Sequence, residues 1–218
     1  MKKIIICFSL SLLFIGCSFK TPPNQWQYNS ANAFEAYKKD FLSSNDSLAK
    51  NDYSRAVKHA KVSSDLRTLA RIYLGECSLN ISVGQEDECK KFKDIQDVVN
   101  DPFLNAYYSF ITFQLKKEQI PLLPQVYQDF VWHVENLEYK EANEDILKMD
   151  EVTSQLLAAS LLKENIHNEL RDKMIELASF HGYKKAVIFW LGEVKNNTLD
   201  NKKREEISKK ISILNTKG

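Results

Sequence analysis

The stretch PFLNAYYSFITFQL, residues 102–115, places apolar side chains on nearly every face of a helix. A helix that is apolar all round is normally buried among its neighbours. Asp101 and Pro102 supply a capping side chain and a first-turn proline, which predicts that a helix begins here. The stretch therefore predicts an all-α protein with a central helix covered on both sides, and its aromatic residues are interpreted as core rather than as a ligand site.

Helical periodicity continues outward from this stretch. Phe34, Tyr37 and Phe41 recur at spacings of three and four residues, as expected for one face of a helix. Further apolar patterns follow the possible helix starts Asn51, Asp52, Asp65, Asp87, Asp150 and Asp200. The chain has 6 glycines, 5 prolines and no alternating strand pattern between hairpin turns, so we predict about ten or eleven short helices.

Charge and composition limit the classes of partner. The chain has 30 basic and 29 acidic residues, and removing residues 1–16 takes away only Lys2 and Lys3 among them. A balance this close to neutral lacks the concentrated basic surface of nucleic-acid-binding proteins, so we predict no nucleic-acid partner. A hydrophobic content of 44% is enough to bury a core in one domain or one continuous array.

The N-terminal end has the pattern of an export signal. Lys2 and Lys3 precede an apolar run from Ile4 to Ile15, which ends at Gly16 and Cys17. A run of about 12 residues is too short to span a bilayer, which needs about 20. A short basic segment followed by an apolar one is typical of a secretory signal peptide.

The residues Phe14-Ile15-Gly16-Cys17 resemble the lipobox of bacterial lipoproteins, with Phe14 where that family favours Leu, Val or Ile. In the family a diacylglycerol is attached to the cysteine sulfur and a peptidase cuts just before it. The resemblance therefore implies a signal peptide of residues 1–16 and lipid attachment at Cys17. An uncleaved anchor, or a cysteine present by chance, is the alternative.

The same resemblance implies a location. The family uses aspartate after the cysteine to retain proteins in the inner membrane, so Ser18 favours the periplasmic face of the outer membrane of a bacterial envelope. Residues 17–28 contain Pro22 and Pro23 and are predicted to be a lipidated N-terminus and flexible tether. Residues 29–218 are predicted to form an all-helical repeat-like domain.

The remaining cysteines form an even pair. Cys7 would leave with the signal peptide and Cys17 would carry lipid, which leaves Cys77 and Cys89 in an oxidising compartment. We predict a disulfide between them across a turn that joins two helices. Two unconnected buried thiols are the alternative, and a zinc site is disfavoured because the paired ligand spacing and a nearby histidine are missing.

Three stretches share an aromatic residue, two intervening residues and an alanine. They are Tyr53 with Ala56, Tyr139 with Ala142, and Tyr183 with Ala186. At this spacing the alanine lets a partner helix approach while the tyrosine fills the adjoining groove, and polar residues such as Lys58 and Lys185 are expected on the opposite face.

These motifs resemble tetratricopeptide and SEL-type helical repeats, the latter through Tyr183, Ala186 and the following Phe189-Trp190. The resemblance implies an array of short antiparallel helix pairs, an α-solenoid. The alternative is coincidence within an irregular helical bundle. The intervals between the motifs are irregular, and Val62 stands where the tetratricopeptide family has a small residue.

Motifs for chemistry are missing from the sequence. It contains no phosphate-binding glycine loop, no nucleophile elbow and no paired histidines on a helix, so we predict no enzyme, no cofactor and no metal site. The histidines are scattered, at His59, His133, His167 and His181. The acidic run Glu86-Asp87-Glu88 lacks the glycine-punctuated loop of a calcium site.

The prediction for function is a lipid-anchored scaffold or assembly factor that binds other envelope proteins. Helical arrays commonly hold a peptide or a helix on their concave face. An envelope enzyme, a glycan-binding or peptide-binding lipoprotein, and a surface lipoprotein that contacts host tissue are the alternatives.

Overall fold

The computed structural model describes residues 24–216, and every regular element in this range is helical. The α-helices are α1 Gln25–Leu42, α2 Asp46–Ala60, α3 Arg67–Ser82, α4 Lys90–Lys93, α5 Gln96–Val99, α6 Pro102–Ile111, α7 Gln125–Glu135, α8 Tyr139–Lys148, α9 Val152–Leu162, α10 Asn168–Phe180, α11 Lys184–Asn197 and α12 Asn201–Asn215. Two 3₁₀ segments, Lys117–Leu122 and Lys163–Asn165, lie between them. The all-α fold class is confirmed, and the helices exceed the predicted number because α4 and α5 are single turns too short to show periodicity.

The predicted signal peptide 1–16, Cys17 and the tether residues 18–23 lie outside the described residues. α1 begins at Gln25, so residues 25–28, which the sequence assigned to the tether, are helical. Throughout residues 24–216, each helix is too short or too polar to cross a bilayer.

Two predicted helix starts carry the expected caps. The Asp101 side chain accepts hydrogen bonds from the backbone N–H groups of Phe103 and Leu104 at the start of α6, and Asp200 does the same at α12. Asn51 and Asp52 do not begin a helix. α2 already begins at Asp46, and the Asp52 carboxylate accepts from Arg55 on the same helix, 2.8 Å away.

Three helix pairs share one kind of connection. α1 with α2, α7 with α8, and α10 with α11 are joined by three-residue loops whose middle residue has positive φ: Ser44 at 66°, Leu137 at 61° and Gly182 at 68°. The next residue donates its N–H to the carbonyl five positions earlier in each loop: Asn45 to Asp40, Glu138 to His133 and Tyr183 to Ala178. This is the Schellman ending, which turns the chain sharply so that consecutive helices pack together.

The three aromatic–alanine motifs fall on the second helix of these pairs, α2, α8 and α11. Ala56, Ala142 and Ala186 are each 0% exposed. In the first pair, Ser30 of α1 donates to the Ala56 carbonyl at 3.0 Å, and the Tyr53 ring lies 5.1 Å from Tyr37. A small residue in close contact with the partner helix is what the motif predicted.

The position of one motif differs from the prediction. Tyr139 and Tyr183 lie at or next to a helix start, but Tyr53 is in the middle of α2. α2 therefore does not share the register of the other two motif helices, and the three pairs are not equivalent repeats.

The stretch 102–115 is not the central helix that its composition predicted. α6 ends at Ile111, and the chain turns at Phe113, whose φ is 58°. The N–H of Gln114 donates to the Ser109 carbonyl at 2.7 Å, which is another Schellman ending. Phe103 and Phe113 are 59% and 57% exposed, so both ends of the stretch reach the surface.

The central helix is α9. Seven of its residues are buried: Gln155, Leu156, Leu157, Ala158, Ala159, Leu161 and Leu162. It packs against α3, α7, α8 and α10. The two alanines let backbones approach closely, and the buried Gln155 amide is satisfied by donating to the Met149 carbonyl at 2.9 Å.

The array folds back on itself through α11. Lys185 Nζ donates to Asp46 Oδ1 at 2.6 Å and lies 4.0 Å from the centre of the Phe41 ring. Phe189 packs against Gly84, whose φ is 73°. The Phe189 ring occupies the space that a Cβ atom at position 84 would fill. Lys185 therefore joins α11 to the N-terminal pair instead of lying on a free face, whereas Lys58 is exposed.

We expect Ala56→Leu, Ala142→Leu and Ala186→Leu each to lower the free energy of unfolding by roughly 1 to 3 kcal/mol. Each adds bulk at a position with no exposed surface. Thermal melts followed by circular dichroism measure the effect. Ala31→Leu, at an exposed position of α1, is the matched control and should change stability by less than about 0.5 kcal/mol. Motif variants that melt like this control would contradict the packing role.

Candidate functional site

Cys77 and Cys89 are brought together as the sequence predicted. The first lies in α3 and the second directly precedes α4, with Sγ atoms 1.96 Å apart and Cα atoms 5.3 Å apart. Asp87 shapes the intervening loop because its Oδ1 accepts from the Cys89 N–H at 2.8 Å and its Oδ2 accepts from Asn80 Nδ2 at 2.6 Å. The two cysteines are therefore a disulfide-capable pair at the base of the loop 83–89.

The Asp87 carboxylate and the two sulfurs lie within 4.8 Å of one another. Thiolates, rather than disulfide sulfurs, are the metal ligands that cysteine provides. When the two sulfurs are bonded to each other, neither is a thiolate that could bind a metal ion, so this cluster is interpreted as structural.

A polar contact fixes the helices beside the disulfide. Tyr53 donates its hydroxyl to Glu76 Oε2 at 2.6 Å, and Lys91 Nζ donates to both Glu76 oxygens at 2.6 and 2.7 Å. Burial, together with the hydrogen bond and charge of Glu76, raises the pKa of Tyr53 far above its usual value. The phenol therefore stays protonated and keeps α2, α3 and α4 joined at this point.

The disulfide cleft, as we name it, is a cavity of about 620 Å³ bounded by the loop 84–88 and the C-terminal ends of α6 and α9. Its lining is mixed, with Gln85, Glu86 and Lys93 near Phe113 and Lys163. Lys163 Nζ lies 4.1 Å from the centre of the Phe113 ring, and both residues have positive φ, at 51° and 58°. Positive φ is uncommon for such side chains, so the edge of the cleft holds two strained residues in contact.

The apolar groove, as we name the second cavity, has a volume of about 590 Å³ and lies between α3, α6 and the start of α7. Leu74 and Tyr127 are buried lining residues. Phe103 and Val126 also line it but are 59% and 39% exposed, which makes them its rim. Large apolar side chains thus continue from the interior of the cavity to the surface.

The charge of the apolar groove comes from one residue. Among the described residues that line it, Arg71 is the only one with a charged side chain, and it is exposed. Tyr107 donates its hydroxyl to Ser78 Oγ at 2.9 Å, since that serine donates in turn to the Leu74 carbonyl. Burial raises the pKa values of Tyr107 and Tyr127 above the usual value, so both phenols are neutral and the groove carries a single positive charge.

His133 is the histidine with the closest carboxylate contact. Its Nδ1 lies 2.6 Å from Asp145 Oδ2, and Lys148 donates to the other oxygen of Asp145 at 2.8 Å. The contact joins α7 to α8. His59 lies in α2, and His167 and His181 flank the two ends of α10, so within the described residues the histidines are not gathered into one site.

The aromatic residues of 102–115 divide between core and cavities. Tyr108 and Phe110 belong to the core, as predicted. Tyr107 packs against the core as well, and it also lines the apolar groove. Phe103 and Phe113 are exposed at the edges of the apolar groove and the disulfide cleft, which the interpretation as core missed. The sequence gives no local signal that separates these two groups. α6 ends before Phe113, but a phenylalanine does not indicate a helix ending in the way that a glycine would.

Comparisons with protein-family models, with curated proteins and with solved structures found no match to the chain. The resemblance to lipoproteins and to tetratricopeptide-type repeats therefore stays a prediction from the quoted motifs.

We expect loss of the Cys77–Cys89 bond to destabilise the fold by about 2 to 5 kcal/mol, because the bond constrains the unfolded chain. For a domain of this size, Cys77→Ser should lower the melting temperature by roughly 5 to 15 °C. Reductant should have the same effect on the wild type and little effect on the variant. Alkylation of the denatured, unreduced protein, followed by peptide mass spectrometry, measures the bond directly. Modification of both Cys77 and Cys89 in the exported protein would refute it.

Proposed function

We propose that this protein is a lipid-anchored scaffold or assembly factor of a bacterial envelope complex, and that the apolar groove is the surface that binds its protein partner. The observation that carries the proposal is the continuous apolar lining from buried Leu74 to exposed Phe103. The lipid anchor rests on the lipobox-like residues around Cys17.

The composition of the groove supports a protein partner. Protein interfaces have apolar centres enriched in aromatic residues and arginine, with a polar edge. Phe103, Tyr107, Tyr127 and Arg71 provide this combination at one cavity. Covering the exposed part of Phe103 would contribute about 1 to 2 kcal/mol to binding.

The anchor would confine the protein to the membrane surface. Gln25, the first residue of α1, is eight positions after Cys17. A fully extended chain spans at most about 3.6 Å per residue, so lipid and helix would be no more than about 29 Å apart. A protein held this close supports assembly of a complex at or near the same membrane.

The disulfide cleft favours a second candidate, a lipoprotein that binds a glycan or a polar peptide. Its lining combines amide side chains, Gln85 and Gln114, with the exposed ring of Phe113. Such a ligand would bind the cleft and leave the apolar groove unused. Ligand contacts at Phe113 would therefore support this second candidate, and contacts at Phe103 would support the scaffold.

We expect a photo-crosslinking amino acid at position 103 to form adducts with envelope proteins in intact cells. The matched control is the same amino acid at Phe180 of α10, which is 86% exposed and lies outside the groove. Adducts at position 103 should be several times more abundant than at position 180, as measured by immunoblot and mass spectrometry. Equal adducts at both positions would show that Phe103 meets neighbours only by collision.

We expect Cys17 to be acylated and to be the first residue of the mature chain. Metabolic labelling with an alkyne fatty acid should mark the wild type, and Cys17→Ala should abolish the label. Mass spectrometry of the N-terminal peptide gives the cleavage position. Equal labelling of the two proteins would exclude this anchor.

A further inference from the structure

We propose that the occupant of the apolar groove is a partner peptide segment whose apolar side chains fill the cavity while a carboxylate beside them pairs with Arg71. This rests on the proposed function and adds the chemistry of the partner. The juxtaposition behind it is one exposed arginine at an otherwise uncharged cavity.

Arg71 forms no hydrogen bond or ion pair with a carboxylate within the described part of the chain, unlike its neighbour one turn earlier. Its charge acts on Asp65 only from a distance, and adds to the hydrogen bonds from Arg67 that lower the pKa of that carboxyl. Arg67 forms a forked contact with Asp65, with Nε and Nη2 donating to the two carboxylate oxygens at 3.0 and 2.8 Å. Both Asp65 oxygens are therefore already used. The paired arginine lies outside the groove and the unpaired one lines it.

The carboxylate that precedes the groove-lining helix α6 is also engaged. Asp101 Oδ1 accepts from the N–H groups of Phe103 and Leu104 at 3.0 and 3.1 Å, which fixes the start of α6. Any turn of the Asp101 side chain away from these N–H groups would break this helix cap. A carboxylate supplied from outside would meet the positive charge without that loss.

The groove favours a peptide over a free fatty acid, although both combine apolar surface with a carboxylate. A fatty acid fits a cavity that encloses its chain, whereas Phe103 and Val126 here stand 59% and 39% exposed at the rim. Two separate apolar groups on an open edge suit side chains that project from one peptide backbone. Tyr107 and Tyr127 keep the interior uncharged, so Arg71 alone selects for negative charge.

The test uses the full chain in detergent micelles and a displayed library of random 12-residue peptides. Peptides selected on the wild type are synthesised and their affinities are measured by fluorescence anisotropy. Phe103→Ser identifies those that use the groove, and Arg71→Gln removes the charge. Arg204→Gln, at an exposed position of α12, is the matched control. Circular dichroism melts confirm that each variant is folded.

We expect the groove-dependent peptides to be enriched in Asp or Glu next to apolar residues. For these peptides Arg71→Gln should weaken binding about fivefold, as for an ion pair at the edge of an interface, and Arg204→Gln should not. Changing the peptide carboxylate to an amide should weaken binding to the wild type by the same factor and leave binding to Arg71→Gln unchanged. Added salt should weaken only the wild-type complex with the acidic peptide.

Two outcomes separate the inference from the proposed function. If no selected peptide loses affinity in Phe103→Ser, the groove is not a peptide site and both fail. If groove-dependent peptides appear without acidic enrichment, or bind Arg71→Gln as tightly as the wild type, the carboxylate inference is wrong and the docking function stands. If micromolar dodecanoate displaces the peptides from the wild type but not from Arg71→Gln, the groove is a lipid site and the inference is overturned.

Discussion

The burial of α9 is the constraint on which the other helices depend. Apart from Gln155, its residues are apolar or small on all sides, so it needs neighbours on every face, and α3, α7, α8 and α10 supply them. Ala158 and Ala159 set how closely those helices can approach, since protein interiors are packed as densely as organic crystals. The apolar groove and the disulfide cleft are both lined by residues of α3, α6 and α9, with Ser154 of α9 lining the groove and Ser160 the cleft.

Much of the fold could be predicted from the sequence because helical periodicity and capping are local signals. The all-α class and the caps at Asp101 and Asp200 are of this kind. The helix endings were not predictable in the same way. Ser44, Phe113 and Leu137 adopt the left-handed conformation that usually indicates glycine, and only the packing of the flanking helices imposes it. The sequence therefore did not reveal that α6 ends at Ile111. With α6 expected to be longer, the stretch 102–115 was interpreted as the central helix in place of α9.

The candidate site was less predictable than the fold. Counting cysteines was sufficient to pair Cys77 with Cys89, because the predicted signal peptide and lipid attachment would account for Cys7 and Cys17. The apolar groove combines residues from α3, α6, α7 and α9, and no spacing along the chain links Arg71 with Phe103 or Val126. Their proximity follows from how α9 gathers its neighbours, which is tertiary information.

Under the proposed anchoring at Cys17, the short separation between Cys17 and α1 would affect how strong the proposed binding at the groove needs to be. Confining two molecules to one membrane surface raises their local concentration relative to free solution, in the way that linking two binding modules does. With Cys17 acylated, the groove and a partner in the same membrane would share a layer only a few tens of ångströms deep. A groove with modest affinity would then bind a membrane-attached partner and would bind the same peptide sequence only weakly when that peptide is free in solution. Membrane attachment itself would therefore contribute to selectivity.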